Sequence, residues 1–127
     1  MKKNVLLILI LAVSVFTNSC STVPITGRNQ LSLIPASQLM SMSFQQYDTF
    51  LSEHKVSKDA NQTARIKRIG SKIQKAVEEY FEMKNLTQHL NGYAWEFNLV
   101  ESDQVNAWCM PGGKVVFYTG ILPICKD

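Results

Sequence analysis

Side chains that could carry out chemistry are sparse in this chain. The two histidines, His54 and His89, lie near the end of a predicted helix and in a polar turn, so they do not form a metal-binding pair at helical spacing. The sequence has no Gly-x-Ser-x-Gly segment of the kind that presents a nucleophilic serine, and the Gly112-Gly113 pair lacks the spacing of a phosphate-binding loop. Taken alone, these residues indicate no active site.

Two of the three cysteines, Cys109 and Cys125, have no obvious histidine partner that would make a nucleophilic thiolate. In an oxidising compartment they could form a disulfide with each other. They could also be buried free thiols, because cysteine is often a small core residue. The sequence leaves both alternatives open.

Residues 1–19 have the pattern of an export signal. Lys2 and Lys3 precede an apolar run over residues 5–16, which is too short to span a bilayer, since a spanning helix needs about 20 residues. The segment resembles a bacterial lipoprotein signal peptide, in which the cysteine after the cleavage site, here Cys20, is acylated and binds the protein to a membrane. This resemblance predicts a periplasmic protein that is lipid-anchored to the outer membrane. An ordinary secreted protein, cleaved at another small residue, is the alternative.

The charge of the chain excludes one class of partner. Without Lys2 and Lys3, 11 basic side chains stand against 10 acidic ones, so the remaining chain is nearly neutral. It also has no arginine-rich aromatic platform of the kind that binds nucleic acid. We therefore expect no nucleic-acid partner.

The rest of the chain begins with a predicted tether and a helix. Residues 20–35 have no apolar period and contain two prolines and a glycine, which indicates an extended tether. Residues 36–54 have apolar side chains at helical spacing. These are Met40, Phe44, Tyr47 and Leu51.

A second helix is predicted from about Asp59 to Met83. Asp59 and Gln62 have the spacing of a capping box. The apolar face of this helix consists of Ile66, Ile69, Ile73, Val77 and Tyr80. Gly70 lies in the middle of the helix, where glycine costs about 1 kcal/mol relative to alanine, and such a glycine often permits close packing.

Three short strands are predicted after the helices. The alternation of apolar and polar residues over 95–100 is typical of a half-buried strand, and residues 105–110 and 114–119 form the next two. Pro111-Gly112-Gly113 is the predicted turn between the last two strands. This order predicts an α+β fold in which two N-terminal helices precede a small antiparallel sheet.

The segment from Asn106 to Leu122 contains an Asn-Ala and a Pro-Gly-Gly element. It resembles the strand-turn-strand segment before the zinc helix in the metallopeptidases that include HtpX and the CAAX prenyl proteases. Residues 23–28 and 95–97 add to this resemblance, and the lipoprotein signal narrows it to the periplasmic branch similar to BepA and LoiP. The resemblance implies a membrane-anchored zinc metalloendopeptidase that acts on unfolded or misfolded envelope proteins. Residues 36–127 would be the N-terminal part of its zincin-type domain.

In that family the next helix carries an H-E-x-x-H motif, whose histidines bind zinc and whose glutamate activates a water molecule. Zinc is therefore the cofactor implied for the full-length family member. This sequence ends at Asp127 without the motif, so we expect the chain as given to bind no zinc and to be inactive. A non-catalytic lipoprotein that binds unfolded outer-membrane clients is the alternative function, and a decayed gene would be compatible with the same sequence.

The resemblance also assigns roles to residues near the turn. Asn106, Ala107 and Trp108 would form an edge strand that holds the substrate in an extended form by strand addition. Residues 111–113 would return the chain to the sheet. The alternative is that Asn106 caps a turn and Trp108 belongs to the core.

Overall fold

The computed structural model describes residues 20–125, except for the side chains of Cys20 and Ser21. The predicted signal peptide and the last two residues lie outside this range. The chain divides into two compact units between Pro35 and Ala36. Within the described range, no helix is both long enough and apolar enough to cross a membrane.

The described part of the first unit contains a β-hairpin. Strand β1 (Cys20–Thr22) pairs antiparallel with β2 (Asn29–Leu31). The Val23 N–H donates to the Arg28 carbonyl at 2.8 Å, and Gly27 has a φ of +67°, which glycine adopts without steric cost. The sequence predicted an extended tether here, and the structure instead has three-residue strands that are too short to show a period.

Helix α1 (Ala36–Glu53) begins the second unit and buries the predicted apolar stripe. Tyr47 is fully buried, and Met40, Phe44 and Leu51 are half-buried. A polar residue, Ser43, is also buried on this helix. The predicted helix is therefore present, with one hydroxyl on its buried face.

Helix α2 (Ala60–Met83) begins at the predicted N-cap. The Asp59 carboxylate accepts a hydrogen bond from the Gln62 N–H at 3.0 Å. The Gln62 Oε1 atom is buried without a hydrogen-bond partner in the described part of the chain, so only half of the predicted capping box forms. Ile66 and Gly70 are the buried residues of this helix.

The three strands are β3 (Glu96–Val100), β4 (Ala107–Met110) and β5 (Lys114–Tyr118), and their spatial order is β3-β5-β4. β4 pairs antiparallel with β5, whereas β3 pairs parallel with β5. The α+β class is confirmed, but the sheet is mixed rather than antiparallel. The period of two identified the strands and their faces, but it contains no information on the order in which strands pair.

The two helices pack on opposite faces of the sheet, because side chains alternate along each strand. Tyr47 of α1 packs with Val100, Val116 and Tyr118. On the other face, Ile66 of α2 packs with a second set of strand residues. This set consists of Phe97 and Leu99, with Val115 and Phe117 beside them. The small sheet thus forms the middle layer of the second unit.

Candidate functional site

The outer edge of β4 is the candidate site. β4 is the terminal strand of the sheet, and no other strand in residues 20–125 pairs with its outer side. The opposite edge, that of β3, is partly covered. There the Ser57 N–H donates to the Leu99 carbonyl and the Glu101 N–H donates to the Lys55 carbonyl, each at 2.8 Å.

The register of β4 and β5 decides which backbone groups of β4 point outward. The Tyr118 N–H donates to the Asn106 carbonyl at 3.1 Å, so this pair is hydrogen-bonded. In an antiparallel pair, hydrogen-bonded and non-hydrogen-bonded residues alternate. The N–H and C=O groups of Trp108 and Met110 therefore point toward β5. Those of Ala107 and Cys109 point to the open edge.

Of the three predicted edge residues, only one directs both of its backbone groups to the open edge. Ala107 presents its backbone outward. Asn106 precedes the strand, and its N–H donates to the Gln104 carbonyl at 3.0 Å, so its backbone is part of a turn. Cys109 was not predicted as an edge residue, because its outward direction depends on which pair of residues is hydrogen-bonded.

The side chain of Trp108 faces α1 and not the open edge. Its ring packs edge-to-face on Phe50, with 4.8 Å between centroids, and on Tyr47 at 6.1 Å. Its Nε1–H donates to the Tyr118 hydroxyl at 3.1 Å. The side chain of Trp108 therefore packs against the core, as the alternative interpretation had it.

The predicted turn joins β4 to β5, and its two glycines are required by both conformation and space. Gly112 and Gly113 have φ values of +85° and +84°. A β-carbon at position 112 would lie 2.4 Å from the Phe44 ring, and one at position 113 would lie 2.7 Å from the Trp95 ring. The Ser43 hydroxyl donates to the Pro111 carbonyl at 2.7 Å. The turn is thus enclosed by α1 and by the residues before β3.

A polar network lies between α1 and the sheet. The buried Lys114 ammonium donates to Glu96 Oε2 at 2.8 Å, and its Nζ lies 5.0 Å from the centroid of the Phe44 ring. Asn98 Nδ2 donates to Glu96 Oε1 at 2.8 Å and to the Tyr47 hydroxyl at 3.0 Å. Burial raises the pKa of Tyr47 to about 12, although the hydrogen bond from Asn98 acts in the opposite direction.

The thiols of Cys109 and Cys125 are free and exposed. The structure therefore contains neither the possible disulfide nor buried thiols. Cys109 lies on β4, whereas the carbonyl of Cys125 accepts a hydrogen bond from Arg65 of α2 at 3.0 Å. The two cysteines thus belong to different parts of the fold.

The described residues do not form a metal site. Nowhere in residues 20–125 do three histidine, cysteine, aspartate or glutamate side chains come together to hold an ion. The His54 ring stacks on Phe50 with 3.8 Å between centroids, and its Nδ1 lies 2.8 Å from the Phe50 carbonyl oxygen. His89 lies in a separate 3₁₀ turn (Thr87–Leu90). No chemical step can be assigned to a metal held by these residues.

A family match identifies the family of the chain. The model of peptidase family M48 matches residues 63–127, which include most of α2, the whole sheet and the Pro-Gly-Gly turn. The chain belongs to peptidase family M48. Members of this family are zinc-dependent metallopeptidases. The predicted metallopeptidase family is therefore confirmed.

Curated relatives of the chain include endopeptidases from a plant and from mammals. The mitochondrial metalloendopeptidase OMA1 of Arabidopsis thaliana is 42% identical over 50 residues, which are 39% of this chain and 10% of that protein. The mitochondrial metalloendopeptidase OMA1 of Homo sapiens is 27% identical over 104 residues, 82% of this chain and 19% of that protein. The mitochondrial metalloendopeptidase OMA1 of Bos taurus is 25% identical over 108 residues, 82% of this chain and 19% of that protein. The chain thus spans a fifth or less of these relatives. No solved structure matches it.

The relatives correct the predicted location. The sequence predicted a periplasmic protein that is lipid-anchored to the outer membrane, whereas these relatives are named as mitochondrial endopeptidases. The location prediction was wrong, because lysines followed by a short apolar run are only a general targeting pattern. Acylation of Cys20 stays a prediction, since the side chain lies outside the described part of the chain.

Proposed function

We propose that this chain is the N-terminal part of an M48 zinc metalloendopeptidase and that the open edge of β4 binds the polypeptide substrate by strand addition. The observation that carries the proposal is the outward direction of the Ala107 and Cys109 backbone groups on a strand with a free side. Two residues at this spacing offer two N–H donors and two C=O acceptors to an extended chain. Membership of family M48 supports a peptide as the ligand.

The substrate class follows from this mode of binding. Strand addition needs a segment whose own N–H and C=O groups are free, and a folded protein has paired most of these groups. We therefore propose unfolded or misfolded proteins as substrates. Because the contacts are to the backbone, they select extended conformation more than sequence.

The described residues have a binding role in this proposal and no chemical one. Zinc chemistry belongs to the family, and residues 20–125 contain no set of ligands for the ion. The finer placement in the branch similar to BepA and LoiP stays a prediction. A non-catalytic binding protein would use the same edge, and only peptide cleavage by a longer protein that includes this chain would distinguish the two functions.

Replacing one outward N–H tests the proposal. Cys109→Pro removes the Cys109 N–H, which does not bond to β5, and proline is tolerated on edge strands. Cys109→Ser changes the same side chain and keeps the N–H. The affinity of the chain for a fluorescein-labelled peptide of alternating threonine and valine is measured by fluorescence anisotropy.

We expect Cys109→Pro to weaken peptide binding by about three- to tenfold, which corresponds to one hydrogen bond and the bulk of the ring. Cys109→Ser should bind like the wild type. Equal affinities of the proline and serine variants, or no binding by the wild type, would contradict strand addition at β4.

A further inference from the structure

We infer that Ser43 is a positioning residue for the substrate-binding edge: its hydroxyl fixes the turn end of β4 against α1. The inference about position is structural, and its consequence for peptide binding rests on the proposed function. It concerns helix α1, which packs on one face of the sheet and contacts β4 through Trp108.

The hydrogen bond of Ser43 is unusual for a serine within a helix. Such a serine usually bonds to a carbonyl in the preceding turn of its own helix. Ser41 does so, and its hydroxyl donates to the Ser37 carbonyl at 3.1 Å. Ser43 is only 6% exposed and donates instead to the Pro111 carbonyl, 68 residues away, at 2.7 Å. The Ser43 hydroxyl therefore bonds to the turn after β4 and not to its own helix.

The Pro111 carbonyl lies just beyond Met110, the last residue of β4, which pairs with Lys114 of β5. β4 has four residues and one neighbouring strand. At its start, the bond from Tyr118 to Asn106 holds it to β5. At its other end, the chain enters two glycines with positive φ, which have no side chains of their own to pack. Pro111 has no N–H, so its carbonyl is its remaining backbone group for hydrogen bonding.

Two further residues of α1 contact the turn and the start of β5 beside this hydrogen bond. The Phe44 ring fills the space over Gly112, and the Tyr47 hydroxyl lies 3.3 Å from the Val115 carbonyl oxygen, to which it donates. Together with Ser43, these residues contact the turn and the first part of β5. The position of Cys109, two residues before Pro111, therefore depends on α1.

Loss of the Ser43 hydroxyl should loosen β4 from the turn end. The outward groups of Cys109 would lose their fixed position first, and those of Ala107 would be less affected because the Asn106 end stays bonded. A peptide that binds to the loosened strand must order it again, which lowers affinity.

The test uses Ser43→Ala with Ser41→Ala as the matched control in the full chain. Both variants lose one serine hydroxyl from the same helix, but the Ser41 bond stays within the helix. Hydrogen exchange is measured by NMR for the Met110 amide, which faces β5 near the turn, and for the Val100 amide of β3. Peptide affinity is measured with the same labelled peptide.

We expect Ser43→Ala to accelerate exchange at Met110 by about five- to tenfold, the effect of losing one hydrogen bond. In the same variant, the exchange rate of the Val100 amide should stay within about twofold of the wild type. In Ser41→Ala, the exchange rates of both amides should also stay within about twofold of the wild type. Equal acceleration at Met110 and Val100 would mean that Ser43 contributes only to global stability and would overturn the inference, as would unchanged exchange at Met110.

Peptide affinity separates this inference from the proposed function. If the wild type binds the peptide, Ser43→Ala should weaken binding by about threefold or more and Ser41→Ala should leave it unchanged. Unchanged affinity in Ser43→Ala would overturn the role of Ser43 in positioning the edge for a ligand. If the wild type binds no peptide, the proposed function fails, while the exchange rates still decide whether Ser43 positions β4.

Discussion

The ring of Phe97 lies directly against the backbone of Gly70, so close that a β-carbon at position 70 would come within 2.6 Å of three ring atoms. This contact sets how closely α2 approaches β3. Gly70 is buried, and Phe97 belongs to the cluster on the α2 side of the sheet. The close packing that a glycine in mid-helix suggested is therefore present.

Gly70→Ala should lower the free energy of unfolding although alanine is the better helix former. The gain in helix propensity is about 1 kcal/mol, whereas forcing a methyl group into this contact costs about 1–3 kcal/mol or more. We expect a net loss of about 1 kcal/mol in urea unfolding. Ser71→Ala, at the adjacent exposed position, should be neutral or slightly stabilising. A Gly70→Ala variant more stable than the wild type would show that Phe97 can move aside.

Tyr47 should make the protein less stable in strong base. Its pKa is about 12 in the folded chain, mainly through burial, against about 10 in the unfolded chain. Between these values the unfolded state has released the phenolic proton and the folded state still holds it, so stability falls as the pH rises. Below pH 10 both states hold the phenolic proton, and the contribution of Tyr47 to the free energy of unfolding is fully present.

Urea unfolding between pH 9 and pH 12 provides the measurement for Tyr47. Tyr47→Phe should show a smaller decrease in stability across this range than the wild type, even if its stability at pH 9 is lower. Tyr93→Phe, which changes a more exposed tyrosine, should retain the decrease of the wild type. Identical pH profiles for Tyr47→Phe and the wild type would contradict the raised pKa.

The ion pair of Lys114 and Glu96 should be asymmetric in its effect on stability. Glu96→Ala leaves a buried ammonium without its carboxylate, which should cost about 2–3 kcal/mol. Lys114→Met leaves Glu96 partly exposed to water and should cost about 1 kcal/mol or less. The exposed pair of Lys55 and Glu101 provides the control, and Glu101→Ala should cost about 0–1 kcal/mol. Equal losses in the free energy of unfolding for Glu101→Ala and Glu96→Ala, measured in urea, would refute this prediction.

Much of the fold could be predicted from the sequence because it depends on local patterns. The apolar stripe through Tyr47 indicated α1, Asp59 marked the start of α2, and the glycine pair marked the turn between β4 and β5. The strand order could not be predicted in this way, since β5 lies between β3 and β4 through contacts that no local period encodes. The hairpin of residues 20–31 has strands too short for any period.

The site was harder to predict, because its parts depend on register and on contacts distant in sequence. The resemblance pointed to Asn106, Ala107 and Trp108, but the outward residues of β4 follow from which pair is hydrogen-bonded, and this gives Ala107 and Cys109. The bond between Ser43 and Pro111 joins residues 68 positions apart. No pattern around Ser43 distinguishes it from Ser41.

The strand order also determines when the sheet can form during synthesis. The ribosome makes β3 before β5, its parallel partner, and β4 is made between them and lies on the far side of β5. Until Tyr118 has been made, the apolar residues of β3 have α2 beside them and no completed neighbouring strand. At this stage the edge of β3 that later pairs with β5 is free, and a free strand edge promotes aggregation with other chains. The short span from Ala107 to Tyr118 ends this exposure when it folds as a hairpin and joins the growing sheet.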